Sequence, residues 1–210
     1  MSINDLTIIG APPPRLGAAF SVIADLHETF AEYAPGLTPG ISKRSCVLSS
    51  LTVRDFLRLA GFDAEVRPCM FMAEAWDIFG EVQHTLGVGT PDWREGKIKR
   101  RRMGEVDGWR GHLVCILPAE RWVIDTTLFQ ARRPTWPHLP GMFALPINPA
   151  PKVYRGMDAL ATLHANETNG DRLRLTWLDQ RRNRYWETVP DAAFVRRSGV
   201  VRRMLASLGP

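Results

Sequence analysis

Cys46, His112 and Asp125 stand in an order suited to thiol chemistry, with a nucleophile, a general base and a carboxylate to orient that base. Cys46 opens a helical pattern. Val47, Leu48, Leu51, Phe56 and Leu59 follow at the spacing of a buried face, from about Ser45 to Ala60, and Gly61 supplies the stop. A sulfur in the first turn meets the positive end of the helix dipole and unpaired backbone N–H groups, both of which favour thiolate over thiol. Lys43 and Arg44 add two cations beside it. A free cysteine also packs as a small hydrophobe, so position alone does not make Cys46 a nucleophile.

His112 and Asp125 fall in two apolar runs, Gly111 to Leu117 and Arg121 to Thr127, joined around Pro118-Ala-Glu120, which read as a hairpin. If the loop holds two or four residues, His112 lies opposite Asp125 or diagonally beside it, on one face. An imidazole next to a carboxylate has its tautomer fixed, and its imidazolium is stabilised during proton transfer. Val114, Ile116 and Val123 flank the pair, and Leu113, Leu117, Trp122 and Ile124 stand behind it. Charged groups in a strand covered on both faces need a reason to be there. For the three side chains to meet, the helix opening at Ser45 should pack on the face carrying His112, Val114 and Val123.

The remaining elements must hold this arrangement. Leu16, Ala19, Phe20, Ile23, Leu26, Phe30 and Tyr33 line one helix face behind Pro12-Pro-Pro14. Residues from Phe62 to Phe79 read as one or two strands, and Gly80 to Gly111 as a long connection. Arg133 to Pro151 is a proline-laden stretch that wraps the surface or crosses to another edge. A second hairpin is expected from Leu173, Leu175 and Trp177 into Tyr185 to Val189. Asp191 is a candidate cap for a last helix carrying Phe194, Val201, Leu205 and Leu208 on one face. Helices first and sheet afterward give an α+β order.

The sequence Gly111-His-Leu-Val, then Trp122-Val-Ile-Asp-Thr, downstream of a cysteine at a helix start, resembles the catalytic core of transglutaminase-like proteins. It is similar too to the arylamine N-acetyltransferases, which keep the same Cys, His, Asp order. The likeness covers about Ser45 to Gln130. It implies a papain-like fold with the nucleophile helix on an antiparallel sheet; length and the lack of a linker pattern give one domain over 1–210, and the glycines and basic run a loop excursion near 83–110. It also implies roles: Cys46 as nucleophile, His112 as base and then acid, Asp125 as orienting carboxylate. The activity implied is acyl transfer, or amide or peptide hydrolysis, with no cofactor and no metal. The backbone N–H of Cys46 would serve the oxyanion. Trp76 is a candidate second donor, and a strand tryptophan is as readily core.

Composition bounds the alternatives. In 210 residues, 45% hydrophobic and 23% charged, there is material for one ordinary core. The longest apolar runs are far shorter than the ~20 residues of a membrane span. No export signal is visible, and cytoplasm is the expected location. Cys46, Cys69 and Cys115 are too few for a disulfide framework, and without a Cys-x-x-Cys pair they do not suggest zinc. His84, His138 and His164 fall in expected loops. The net charge of +5 is concentrated in Lys97 to Arg102 and in C-terminal arginines. Such a run suits an acidic partner, but no nucleic-acid-binding motif accompanies it, so nucleic acid is the minor alternative. A non-catalytic binding module of the same superfamily is the other. Substrate and oligomeric state are not encoded in these patterns.

Overall fold

The computed structural model describes residues 6–37, 45–89, 93–94, 97–98, 111–132, 139–150, 152–154, 156–166 and 172–209. Within them the chain is mixed α+β. The helices are α1 (Pro14–Ala24), α2 (Leu26–Tyr33), α3 (Cys46–Leu59) and α4 (Ser198–Leu208). The strands are β1 (Leu6–Ile8), β2 (Glu65–Trp76), β3 (Val82–Val88), β4 (Trp93–Arg94), β5 (Lys97–Ile98), β6 (His112–Leu117), β7 (Trp122–Asp125), β8 (Met142–Pro146), β9 (Lys152–Tyr154), β10 (Met157–Asn166) and β11 (Arg172–Asp179). The chain divides into two compact units. The first holds residues 1–67, 113–147 and 190–210, and the second holds 68–112 and 148–189.

In the first unit β7 pairs antiparallel with β6 and β8, and β8 pairs in parallel with β1. Phe20 and Ile23 of α1, Phe30 of α2, Leu48 and Phe56 of α3 and Met204 of α4 pack with Cys115, Leu117, Trp122 and Ile124. These positions alternate along β6 and β7, so the helices bury a single face of the strand pair. Phe20 meets Trp122 edge-on at 5.3 Å between centroids. Each such aromatic, cut to alanine, costs about 3–5 kcal/mol. α3 ends where Gly61 takes φ +84° and the Phe62 N–H reaches back to the Leu57 carbonyl, a closure that left-handed glycine makes without strain. Arg197, buried just ahead of α4, joins that helix to α3 through a 2.6 Å ion pair with Asp55.

In the second unit β2 lies between β3 and β11, and β10 continues from β11 to β9, all antiparallel. Phe71 and Trp177 meet on one face, their rings tilted by 56° with centroids 5.1 Å apart. Met70, Met72, Ala159 and Leu178 cluster on the other, with Tyr154 and Met157 against them.

Several expectations change. The single helix over 15–33 is two helices broken at Asp25. The long connection from Gly80 contains β3, paired with β2, so His84 is an exposed strand residue rather than a loop residue. The proline-laden stretch contains β8. β11 forms its hairpin with β10 before it, not with Tyr185 to Val189, where Tyr185–Thr188 is a short 3-10 helix. The last helix starts at Ser198, leaving Asp191 in a 3-10 turn and Phe194 55% exposed rather than on the buried face. Lys43, Arg44, His138 and most of the basic run, residues 99–102, lie outside the described residues. Among the described residues no helix is long and apolar enough to cross a membrane.

Candidate functional site

α3 begins at Cys46, which therefore occupies the first helical position. The residue is 4% exposed. The first half of α3, from Cys46 to Val53, is buried all round: Ser49, Ser50 and Thr52 are as covered as Leu51, whereas Leu59, expected on the buried face, is 64% exposed. Two of these polar groups find backbone partners, Ser50 Oγ donating to the Leu113 carbonyl at 2.7 Å and Thr52 Oγ1 to the Leu48 carbonyl at 2.7 Å. The first bond fixes the azimuth of α3. Cys46 lies one turn ahead of Ser50 on the same side of the helix, so the sulfur is carried toward the end of β6 at which Leu113 stands.

This differs from the docking expected from sequence. The body of α3 packs through Leu48, Val53, Phe56 and Leu57 on the face of Cys115, Leu117, Trp122 and Ile124, opposite Val114 and Val123. β6 and β7 are apolar on both faces, so the pattern carried no information about which face takes the helices.

Asp125 ends β7 and is fully buried. Four residues, 118–121, connect β6 to β7, and Cys115 pairs with Ile124. One step further along the ladder, Val114 falls opposite Asp125. Asp125 Oδ1 accepts the Thr127 N–H at 3.1 Å, a local turn that bends the chain out of the strand. The same turn is gripped from α2, where His27 Nε2 donates to the Thr126 carbonyl at 2.9 Å. Its ring meets Phe129 edge-on at 5.2 Å. Burial lowers the His27 pKa to about 4, only partly opposed by that backbone hydrogen bond. His27 is accordingly neutral near pH 7.

Five residues beyond Asp125, Gln130 Nε2 donates to Ser45 Oγ at 2.6 Å. The segment that leaves the aspartate thus binds the residue before the cysteine. His112 opens β6, is 1% exposed and belongs to the second unit. Its backbone is approached by Gly89, whose φ is +74° and at which a Cβ would stand 2.5 Å from the His112 nitrogen. Only glycine fits that position.

The other candidates have structural roles. The Trp76 ring is stacked by the Arg174 guanidinium at 4.6 Å. Cys69 and Cys115 are fully buried, and burial pushes the Cys115 thiol far above its ordinary range. None of the three cysteines forms a disulfide. Among the described residues no cluster of metal-ligating side chains occurs.

His27, Ser50 and Gln130 were not singled out by sequence. A signal existed for His27, which falls at the helical spacing of Ile23 and Phe30 and so sits on an apolar face. Ser50 likewise falls at the helical spacing of Cys46, Val53 and Leu57, a stripe otherwise free of polar groups. Gln130 left none. No family model, curated protein or solved structure matches the chain.

Proposed function

We propose that the protein performs cysteine-dependent acyl transfer or amide hydrolysis, with Cys46 as nucleophile, His112 as general base and then acid, and Asp125 as the carboxylate that orients the imidazole. The observation that carries this reading is the Gln130 to Ser45 hydrogen bond, which ties the turn after Asp125 to the N-terminus of the cysteine's helix across 85 residues of sequence. The first position of a buried helix supplies the nucleophile with the dipole and the N–H groups that stabilise negative charge.

In the proposed reaction the Cys46 proton passes to His112 and the sulfur attacks the carbonyl carbon of an amide, ester or thioester. The tetrahedral oxyanion collapses, the carbon to leaving-group bond breaks, and the imidazolium returns its proton to the leaving group. Water or an amine then attacks the thioester, with His112 taking its proton, and the thiol is regenerated. A finer assignment to a papain-like fold is part of the same proposal. It rests on the order of the three residues and on the position of the first of them, and it requires the N-terminal turn of α3, rather than the docked face of its body, to meet His112.

p-Nitrophenyl acetate tests it. Released nitrophenol and the mass of the intact chain report acylation, and peptide mapping locates the acetyl group. We expect acetylation on Cys46 alone, abolished in Cys46→Ala and slowed roughly 100-fold or more in His112→Gln, the usual range for loss of a general base. Equal modification of all three cysteines, or none, removes the enzymatic reading.

A further inference from the structure

The β9, β10 and β11 face of the second unit holds a cavity of about 350 Å³, within the range of small-ligand sites, roughly 300–1,000 Å³. Its rim carries Lys152, His164 and Arg174, and its inner wall carries Thr162 and Thr176. The two threonines pair directly across β10 and β11. Thr162 Oγ1 accepts a 3.4 Å hydrogen bond from Asn148 Nδ2, which leaves the hydroxyl hydrogen to donate elsewhere. Thr176 is 2% exposed, and its hydroxyl has no hydrogen-bond partner among the described residues. A buried hydroxyl without a partner is uncommon and calls for a reason. A ligand oxygen in the cavity is such a reason.

Charge narrows the ligand class. Arg174 commits Nε and Nη2 to Glu74, at 3.1 and 2.6 Å. Glu74 also accepts the Tyr154 hydroxyl at 2.5 Å and is 2% exposed. The carboxylate thus neutralises the guanidinium. Lys152 has no carboxylate partner among the described residues, so the cavity presents one net cation and two hydroxyl donors. That set matches a monoanion. A doubly charged phosphate would approach Glu74 with a charge left unbalanced. Ala159, Val153 and the Tyr154 ring supply apolar wall for the rest of the molecule.

We propose that this cavity is a binding site for a small organic carboxylate, its oxygens held by the Thr162 and Thr176 hydroxyls and the Lys152 ammonium. The proposal is independent of the chemistry at Cys46.

Titration of the full chain with sodium benzoate, followed by amide NMR, tests it, with benzamide as the neutral isostere and inorganic phosphate as the competing anion. Benzoate is expected to shift the signals of residues 159–164 and 172–178 saturably, with benzamide at least about tenfold weaker, as loss of charge-assisted hydrogen bonds dictates. Lys152→Met and Thr176→Val should each weaken benzoate roughly tenfold. Lys152 is exposed, so its variant tests the site even if Thr176→Val perturbs packing. Absence of saturation, equal binding of benzamide, tighter binding of phosphate than of benzoate, or wild-type affinity in Lys152→Met would each overturn the assignment.

Discussion

Two neighbourhoods of the molecule, one in each unit, bury polar groups by different means. Around Cys46 and Asp125 neutral side chains do the holding: Ser50 binds the Leu113 carbonyl, His27 the Thr126 carbonyl and Gln130 the Ser45 hydroxyl. Around Glu74 in the second unit, charged and polar side chains hold one another, Arg174 and Tyr154 on one carboxylate, with Arg174 stacked on Tyr154 at 4.2 Å and on Trp76 at 4.6 Å. Neutral donors fix where a backbone runs at little desolvation cost. An ion pair costs more to bury and leaves a charge exposed to loss if one partner goes. The first arrangement suits a site whose geometry depends on chain path, the second a wall that must present fixed charge.

The largest expected effect strikes the neutral set through pH. The folded pKa of His27, about 4, lies below its ordinary 6.5. Between those values the unfolded chain takes up a proton that the folded chain refuses. Stability from this group is therefore complete above pH 6.5 and lost as pH falls toward 4. At about 1.4 kcal/mol per pH unit the loss reaches about 3 kcal/mol. His27→Gln keeps an N–H donor for Thr126 without titrating. Urea unfolding of both proteins between pH 7 and 4.5 should show a steeper decline in the wild type. Parallel curves would mean that His27 is protonated, or solvated, in the fold.

A smaller effect is expected from the charged set. Glu74→Gln removes the negative charge and leaves Arg174 without its counterion. Breaking a buried pair costs about 3–5 kcal/mol, but the Arg174 side chain is 23% exposed and keeps its aromatic neighbours. The expected loss is about 2 kcal/mol, and Glu74→Gln combined with Arg174→Met should recover part of it. A double variant as unstable as the sum of the singles would show that the two groups do not act as a pair.

The contrast also explains what could be read from sequence. α3 and the β6–β7 hairpin were legible because each is an apolar run with local boundaries, Gly61 for the helix and Pro118 for the turn. β10, Met-Asp-Ala-Leu-Ala-Thr-Leu-His-Ala-Asn, carries three alanines and little β-propensity. Its pairing with β11 makes it a strand, and that is a tertiary fact. β8 was hidden by the prolines around it. The candidate site divides in the same way. Cys46, His112 and Asp125 announce themselves by residue type, whereas Ser50, Gln130 and His27 act on partners 63, 85 and 99 residues away. No local pattern records such distances, and the face on which α3 docks was lost for the same reason.

The smallest effect tests the link on which the functional reading rests. Gln130→Ala deletes the neutral side-chain hydrogen bond to Ser45, worth about 1 kcal/mol, so global unfolding should move little. The consequence should be local. Ser45 precedes the first turn of α3, and its hydroxyl, which receives the Gln130 amide, makes no capping bond within the helix. Loss of that tether lets the first turn open more often, and Cys46 should alkylate severalfold faster, as a 1 kcal/mol easier opening implies. Cys69 and Cys115 are fully buried in strands and should keep their wild-type rates. Gln130→Glu separates tether from side-chain chemistry, because the Ser45 hydroxyl can donate to a carboxylate and restore the contact with its direction reversed. Peptide mapping after limited iodoacetamide treatment gives all three rates in one experiment. Faster labelling of Cys46 in the alanine variant, reversed in the glutamate variant, supports the tether. If all three cysteines respond alike, Gln130 acts on overall stability, and the turn after Asp125 has no particular hold on the start of α3.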